Sequence, residues 1–168
     1  MNYDNNRHNA HNEIDHIFQD LFPTRNMAER PEQAALCHRM LDAMVEGGIA
    51  LCDAGTGIGK TYAYLVAGTV YSRFRAACGL GPKPILVSTS SIALQTAARD
   101  EYLPLLSDVL TEDGMIVQPL RAVIRKGKSH YVCDARLEQR LGQLDLQKKN
   151  WKAGAALLSL RGQLDMDE

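Results

Sequence analysis

Ala54-Gly55-Thr56-Gly57-Ile58-Gly59-Lys60-Thr61 decides how this chain is read. An apolar run, residues 49–52, leads in as a buried strand would, and a helix-compatible run, residues 62–77, leads out. Strand, glycine-rich turn, Lys-Thr and helix is the local order of a phosphate-binding loop. The main-chain N–H groups of such a turn point inward and cradle phosphate oxygens, and the helix N-terminus adds partial positive charge. Gly55, Thr56, Gly57, Ile58 and Gly59 are then candidate phosphate contacts. Lys60 is placed to reach the β- and γ-phosphates and Thr61 to hold Mg²⁺ through its hydroxyl, which makes these two the candidate catalytic residues. Ala54 stands where the pattern usually has its first glycine. The implied ligand is a nucleoside triphosphate.

Outward from the loop, strand and helix signals alternate. Residues 84–89 read as a second short buried strand and residues 121–124 as a third. Helices are expected from Pro31 to the Gly47-Gly48 stop, over residues 62–77, from about 91 to 102, over 103–110 with a bend at Pro104, and from about 134 to 160. The alternation predicts an α/β chain, a parallel sheet with flanking helices, with ligands at the carboxyl ends of the strands. Residues 1–12 read as a polar, disordered lead. Ile14, Ile17, Phe18 and Leu21 then recur at helical spacing before Phe22-Pro23. His8, His11 and His16 are loosely spaced, and a polar lead offers nothing to fix ligand geometry, so no metal role is expected of them.

With 168 residues the chain is one domain or an incomplete piece of one. Its net charge of −1 points to no particular partner. The distribution says more: residues 121–152 hold nine Lys/Arg against three acids, a surface that can face phosphates or simply be a solvated helix face. The four cysteines, Cys37, Cys52, Cys78 and Cys133, form no CxxC pair, and no signal segment precedes them, so free thiols in a reducing cytoplasm are expected. No run approaches the length of a membrane span.

Three further segments narrow the function. In Arg30-Pro31-Glu32-Gln33 the Gln33 amide can both donate and accept, matching the edge of adenine; a plain helix start is the alternative. In the segment from Val87 to Gln95, hydroxyls and helix-start N–H groups can hold nucleic-acid phosphates, and Ser90 or Ser91 can also cap the helix. In the segment from Arg125 to Cys133, basic residues interleave with His130 and Tyr131, a pattern suited to phosphate pairing and base stacking.

In their order these segments, "RPEQ", "AGTGIGKT", "STSSIALQ" and "KGKSHYVC", resemble the N-terminal part of helicase domain 1 of DinG/XPD-type superfamily 2 ATP-dependent DNA helicases, over roughly residues 28–137. The resemblance implies a P-loop, RecA-like fold present as an incomplete lobe. It implies ATP and Mg²⁺ as ligands, with Arg30 and Gln33 joining residues 55–61 at the nucleotide. It implies single-stranded DNA as partner, contacted by Ser88, Thr89, Ser90, Gln95, Lys126 and Lys128, with DNA repair as the setting. In that family the last segment carries the first cysteine ligand of a [4Fe–4S] cluster. Here that position is Cys133, and such a cluster is expected only in a longer parent. The implied organisation is a polar lead with a short helix over 1–27, a partial helicase domain 1 over 28–133 and the helical start of a cluster or arch insertion over 134–168.

Three departures limit the expected activity. No DEAH-type segment is present, no second lobe supplies an arginine finger, and no cysteine follows Cys133. The chain by itself is therefore expected to turn over little or no ATP. The alternatives are a non-catalytic nucleotide-binding or regulatory interaction module and a different P-loop enzyme such as a small kinase. The residues say nothing of oligomeric state.

Overall fold

The computed structural model describes residues 3–127 and 131–147. They fall into two units, one ending at Val123 and one starting at Ile124. Every regular element among the described residues is helical.

In the first unit α1 spans Tyr3–His16 and buries Ala10 and Ile14, four residues apart on one face. A π-helical turn, Ile17–Leu21, follows and buries Ile17 and Phe18. A π turn adds a residue to the helical repeat, which here lets neighbouring apolar side chains both face inward. A short 3₁₀ turn, Phe22–Arg25, ends at Asn26, whose left-handed backbone (φ 58°) closes it.

Helix α2, Pro31–Glu46, starts on Pro31 because a first-turn residue needs no amide hydrogen. It buries Gln33, Leu36, Cys37 and Leu41 and stops at Gly47, left-handed at φ 68°. Helix α3, Lys60–Ala77, buries Ala63, Val66, Ala67, Gly68, Val70 and Phe74. Helix α4, Ile92–Ala97, is capped by Ser91, whose Oγ accepts from the Leu94 N–H at 3.2 Å. It runs through a π turn, Ala98–Tyr102, into α5, Leu103–Glu112, which buries Leu106, Val109 and Leu110. Helices α1, α2, α3 and α5 contribute to one apolar core. In the second unit α6 spans Asp134–Gln147.

The expected parallel sheet is not there: the described residues contain no strand. Residues 49–52, 84–89 and 121–124 are extended or irregular chain. Ile49, Leu51, Leu86 and Val123 are 93, 97, 92 and 82% exposed. The physical reason lies in the kind of hydrogen bond each element needs. A helix closes its bonds within one segment, whereas a strand exists only when another backbone pairs with it. Among the described residues no backbone hydrogen bond joins these three runs. An apolar run with turn signals on both sides specifies burial, and burial alone does not specify a ladder.

The polar lead is also corrected. From Tyr3 onward it is helical. Its polar residues bond across to other helices. Arg7 pairs with Asp42 at 2.5 Å and Glu46 at 2.7 Å, and Arg73 of α3 reaches Glu13 at 2.8 Å and the carbonyl of Met115. The expected helices over 31–46, 62–77, 91–102 and 103–110 are present, with a π turn joining the last two. The remainder of the helix expected to run to about 160 lies outside the described residues.

Candidate functional site

Residues 47–59 form the connection from α2 to α3, and its last turn is built from two left-handed glycines, Gly57 (φ 85°) and Gly59 (φ 87°). Side chains rarely adopt that backbone, and glycine adopts it freely. Gly59 caps α3, so helix bonding begins only at Ala63, whose N–H donates to the Gly59 carbonyl at 3.3 Å. The N–H groups of Lys60, Thr61 and Tyr62 precede that first bond and have no helical acceptor. They form a cluster of donors at the positive end of an 18-residue helix.

Two side chains from the start of α2 grip the loop from behind. Arg30 Nη1 donates to the Gly57 carbonyl at 2.6 Å and Gln33 Nε2 to the Gly59 carbonyl at 2.6 Å. Gln33 is 5% exposed, and a Cβ on Gly59 would collide with its amide nitrogen. With the two carbonyls drawn towards α2, the loop keeps its glycine geometry. Lys60 Nζ folds back on the loop, donating to the carbonyls of Ala54 at 2.9 Å and Gly55 at 2.6 Å. Gly55, Thr56, Gly57 and Lys60 are exposed; Ile58, Gly59 and Thr61 are half-buried. The structure thus brings Arg30, Gln33 and residues 55–61 together.

Behind the first turn of α3 stands an aromatic ladder that sequence reasoning missed. Phe18 meets Phe22 at 5.2 Å, Phe22 meets Tyr62 at 5.0 Å and Tyr62 meets Tyr102 at 5.2 Å, all edge to face. Edge-to-face pairs of this kind hold the loop-bearing end of α3 against the N-terminal helical run and the π turn before α5. Burial, with Tyr102 and Glu101 nearby, pushes the Tyr62 hydroxyl up from its ordinary pKa. The ladder's members are scattered over more than eighty residues, so no local period signals it.

The segment after residue 87 makes a second, smaller constellation. Gln95 Nε2 donates to the Thr89 carbonyl at 3.2 Å, and Thr89 Oγ1 accepts from the Ser91 N–H at 3.2 Å. Gln95 Oε1 is buried and has no hydrogen-bond partner among the described residues. Thr89 and Gln95 are brought together, while Ser88 and Ser90 are exposed beside them. Lys126, in the second unit, is exposed, and its N–H donates to Tyr131 Oη at 3.3 Å. Lys128 lies outside the described residues.

Cys133, also in the second unit, is an exposed free thiol whose carbonyl accepts from the Leu137 N–H at 2.9 Å. A [4Fe–4S] cluster takes about four thiolates. Among the described residues no three His, Cys, Asp or Glu side chains gather where a metal could sit. Cys37 is fully buried in the core, where burial pushes its thiol far above the usual range. The described residues by themselves do not assemble the ligands of such a cluster. No helix among the described residues is long and apolar enough to cross a membrane.

Comparison with known proteins places the sequence in a family. The protein named 3'-5' exonuclease DinG of Bacillus subtilis (strain 168) is 32% identical over 117 residues, which is 70% of this chain and 11% of that protein. The ATP-dependent helicase DinG of Mycobacterium tuberculosis (strain ATCC 25618 / H37Rv) is 37% identical over 110 residues, 66% of this chain and 15% of that protein. The ATP-dependent DNA helicase YoaA of Escherichia coli (strain K12) is 34% identical over 110 residues, again 66% and 15%. The chain therefore spans only 11 to 15% of the length of these relatives. No family model matches, and no solved structure matches. Over the 66 to 70% of its length that aligns, this chain belongs to the DinG-type helicase family.

Proposed function

We propose that the loop at the head of α3 binds the triphosphate of ATP, as part of a DinG-like helicase acting on single-stranded DNA in the cytoplasm. The observation that carries this reading is the pair of left-handed glycines at the start of α3, held from behind by Arg30 and Gln33. A backbone of that shape turns successive N–H groups towards one point, and phosphate oxygens are the ligand such a point suits.

The residues divide the work. Residues 55–59 cradle the phosphates through main-chain N–H groups. Lys60 exchanges its two carbonyl partners for β- and γ-phosphate oxygens, which are stronger acceptors because they are charged. Thr61, in the first turn of α3, holds Mg²⁺ through its hydroxyl. The bound ion supplies neutralisation of phosphate charge. Arg30 and Gln33 keep the loop in shape and meet the base beside it. Within the first unit Ser88, Thr89, Ser90 and Gln95 meet the DNA backbone; Lys126 and Lys128 of the second unit are a separate pair of proposed phosphate contacts. Hydrolysis further requires an acid to hold the metal and a group to orient water. The chain by itself is proposed to bind nucleotide and turn over little of it.

The test is Lys60→Ala in the full chain, with ATP affinity measured by calorimetry in the presence of Mg²⁺. Removing the one point charge at the β/γ position is expected to weaken binding at least tenfold, roughly the loss of one charge-assisted hydrogen bond. Unchanged affinity in that variant would mean the loop is not the triphosphate site.

A further inference from the structure

Across the junction of α1 and α2 lies a cluster outside the loop and its nucleotide. His11 of α1 and His38 of α2 meet edge to edge, with ring centroids 5.0 Å apart, ring planes 25° from parallel and their Nδ1 atoms 2.8 Å from each other. Each ring's other nitrogen meets a carboxylate of the opposite helix: His11 Nε2 to Asp42 at 3.1 Å and His38 Nε2 to Asp15 at 2.9 Å. Arg7 also donates to Asp42, at 2.5 Å, and reaches Glu46 at 2.7 Å.

These contacts set a proton count. A carboxylate only accepts, so both Nε2 atoms carry protons. A 2.8 Å approach of two ring nitrogens is a hydrogen bond only when one of them carries a proton and the other does not. Three protons over two rings is one imidazolium and one imidazole. We propose that His11 and His38 share a single proton between their Nδ1 atoms, making the α1–α2 junction a pH-sensitive latch that closes only when the pair carries one charge.

A fourth proton sets two N–H groups and two positive charges face to face. Loss of the third sets two lone pairs face to face, or shifts a tautomer and gives up a bond to Asp15 or Asp42. The latch therefore weakens on either side of its window. The groups around it are Arg7 and Asp15 from α1 and Cys37, Asp42 and Glu46 from α2, with Arg39 exposed beside Asp42. From α3, which also packs on α1, Arg73 is bound to Glu13. Burial works to raise the Asp42 carboxyl, but Arg7 and His11 outweigh it and hold it below the usual range, so it stays an acceptor.

The experiment is a titration of the full chain with ¹⁵N-labelled histidine, followed by long-range proton–nitrogen NMR, with amide exchange of α1 measured at each pH. His11 and His38 are expected to titrate as a coupled pair in two steps. Protection of the α1 amides is expected to be greatest between the steps and to fall roughly fivefold on the acid side, the loss of about one hydrogen bond. His38→Asn, which puts a neutral amide near the Nδ1 position, is expected to leave His11 with a single step and to remove the acid-side fall. His11 titrating in one unchanged step in both proteins overturns the proposal. So does stoichiometric Zn²⁺ taking both Nδ1 atoms at neutral pH, since the pair would then be a metal site. The wild-type titration alone decides should the variant fail to fold.

Discussion

Two apolar stretches a dozen residues apart end in opposite environments. In residues 49–52, Ile49 and Leu51 stand almost fully in solvent. In α3, Val66 and Val70 are completely buried. Hydrophobicity does not separate them. The helix satisfies its own backbone and so can dock its apolar face on α1 and α2, whereas the extended run has no partner backbone among the described residues and gains nothing by burying unpaired N–H and C=O groups. Local hydrogen bonding decides which apolar sequence becomes core.

The sharpest way to break that contrast is a pair of truncations. Leu41→Ala, in the centre of the α2 face, is expected to cost about 2–5 kcal/mol in urea unfolding. Leu51→Ala, at 97% exposure, is expected to stay within about 0.5 kcal/mol of wild type. Equal losses in the two variants would mean that the run is packed in solution.

A smaller effect separates the two glycines of the loop. Alanine at Gly57 meets nothing within 4 Å and carries only the strain of a left-handed backbone, about 1–2 kcal/mol. Alanine at Gly59 carries the same strain and also displaces Gln33 from the loop carbonyl. Gly59→Ala should therefore be the less stable of the two by urea unfolding and the poorer ATP binder by calorimetry. Indistinguishable variants would remove Gln33 from its role as a brace.

The smallest expected effect concerns His16, which ties the end of α1 to Asp20 and to Asp113 at the end of α5, at 2.7 and 3.2 Å. The hydrogen bond that His16 donates to Asp20 raises its pKa; burial opposes and Asp113 assists. A raised folded pKa contributes stability that is full below the unfolded value, about 6.5, and is lost as pH rises through the folded value. The contribution is below about 1 kcal/mol, because the side chain is 40% exposed and screened. The gap in unfolding midpoint between wild type and His16→Asn should narrow from pH 5.5 to pH 8.5; a gap that widens reverses the sign.

The loop and its flanking helix were legible because their requirements are local. Glycines at 57 and 59, Lys60, and a helix close behind them, expected from residue 62 and found from Lys60, are all statements about neighbouring residues, and the start of α2 at Pro31 and its stop at Gly47 are of the same kind. The resemblance to DinG-type helicases was legible for the same reason, since ordered short motifs carry it. The sheet was misread because residues 49–52, 84–89 and 121–124 declare only apolarity, and pairing is a relation between distant segments. The N-terminal lead was misread because its polar residues looked solvated, while Arg7, His11 and Glu13 are matched by Asp42, His38 and Arg73 far along the chain.

By itself the sequence determined the glycine-rich turn, the helix from Pro31 to Gly47, the helix that follows the turn, and the family. Only the tertiary structure decided that Gln33 and Arg30 grip loop carbonyls, that Tyr62 is braced between Phe22 and Tyr102, and that two histidines from separate helices meet at their ring nitrogens. Backbone preference is set by a residue and its neighbours, whereas each of those contacts depends on how helices distant in sequence dock on one another.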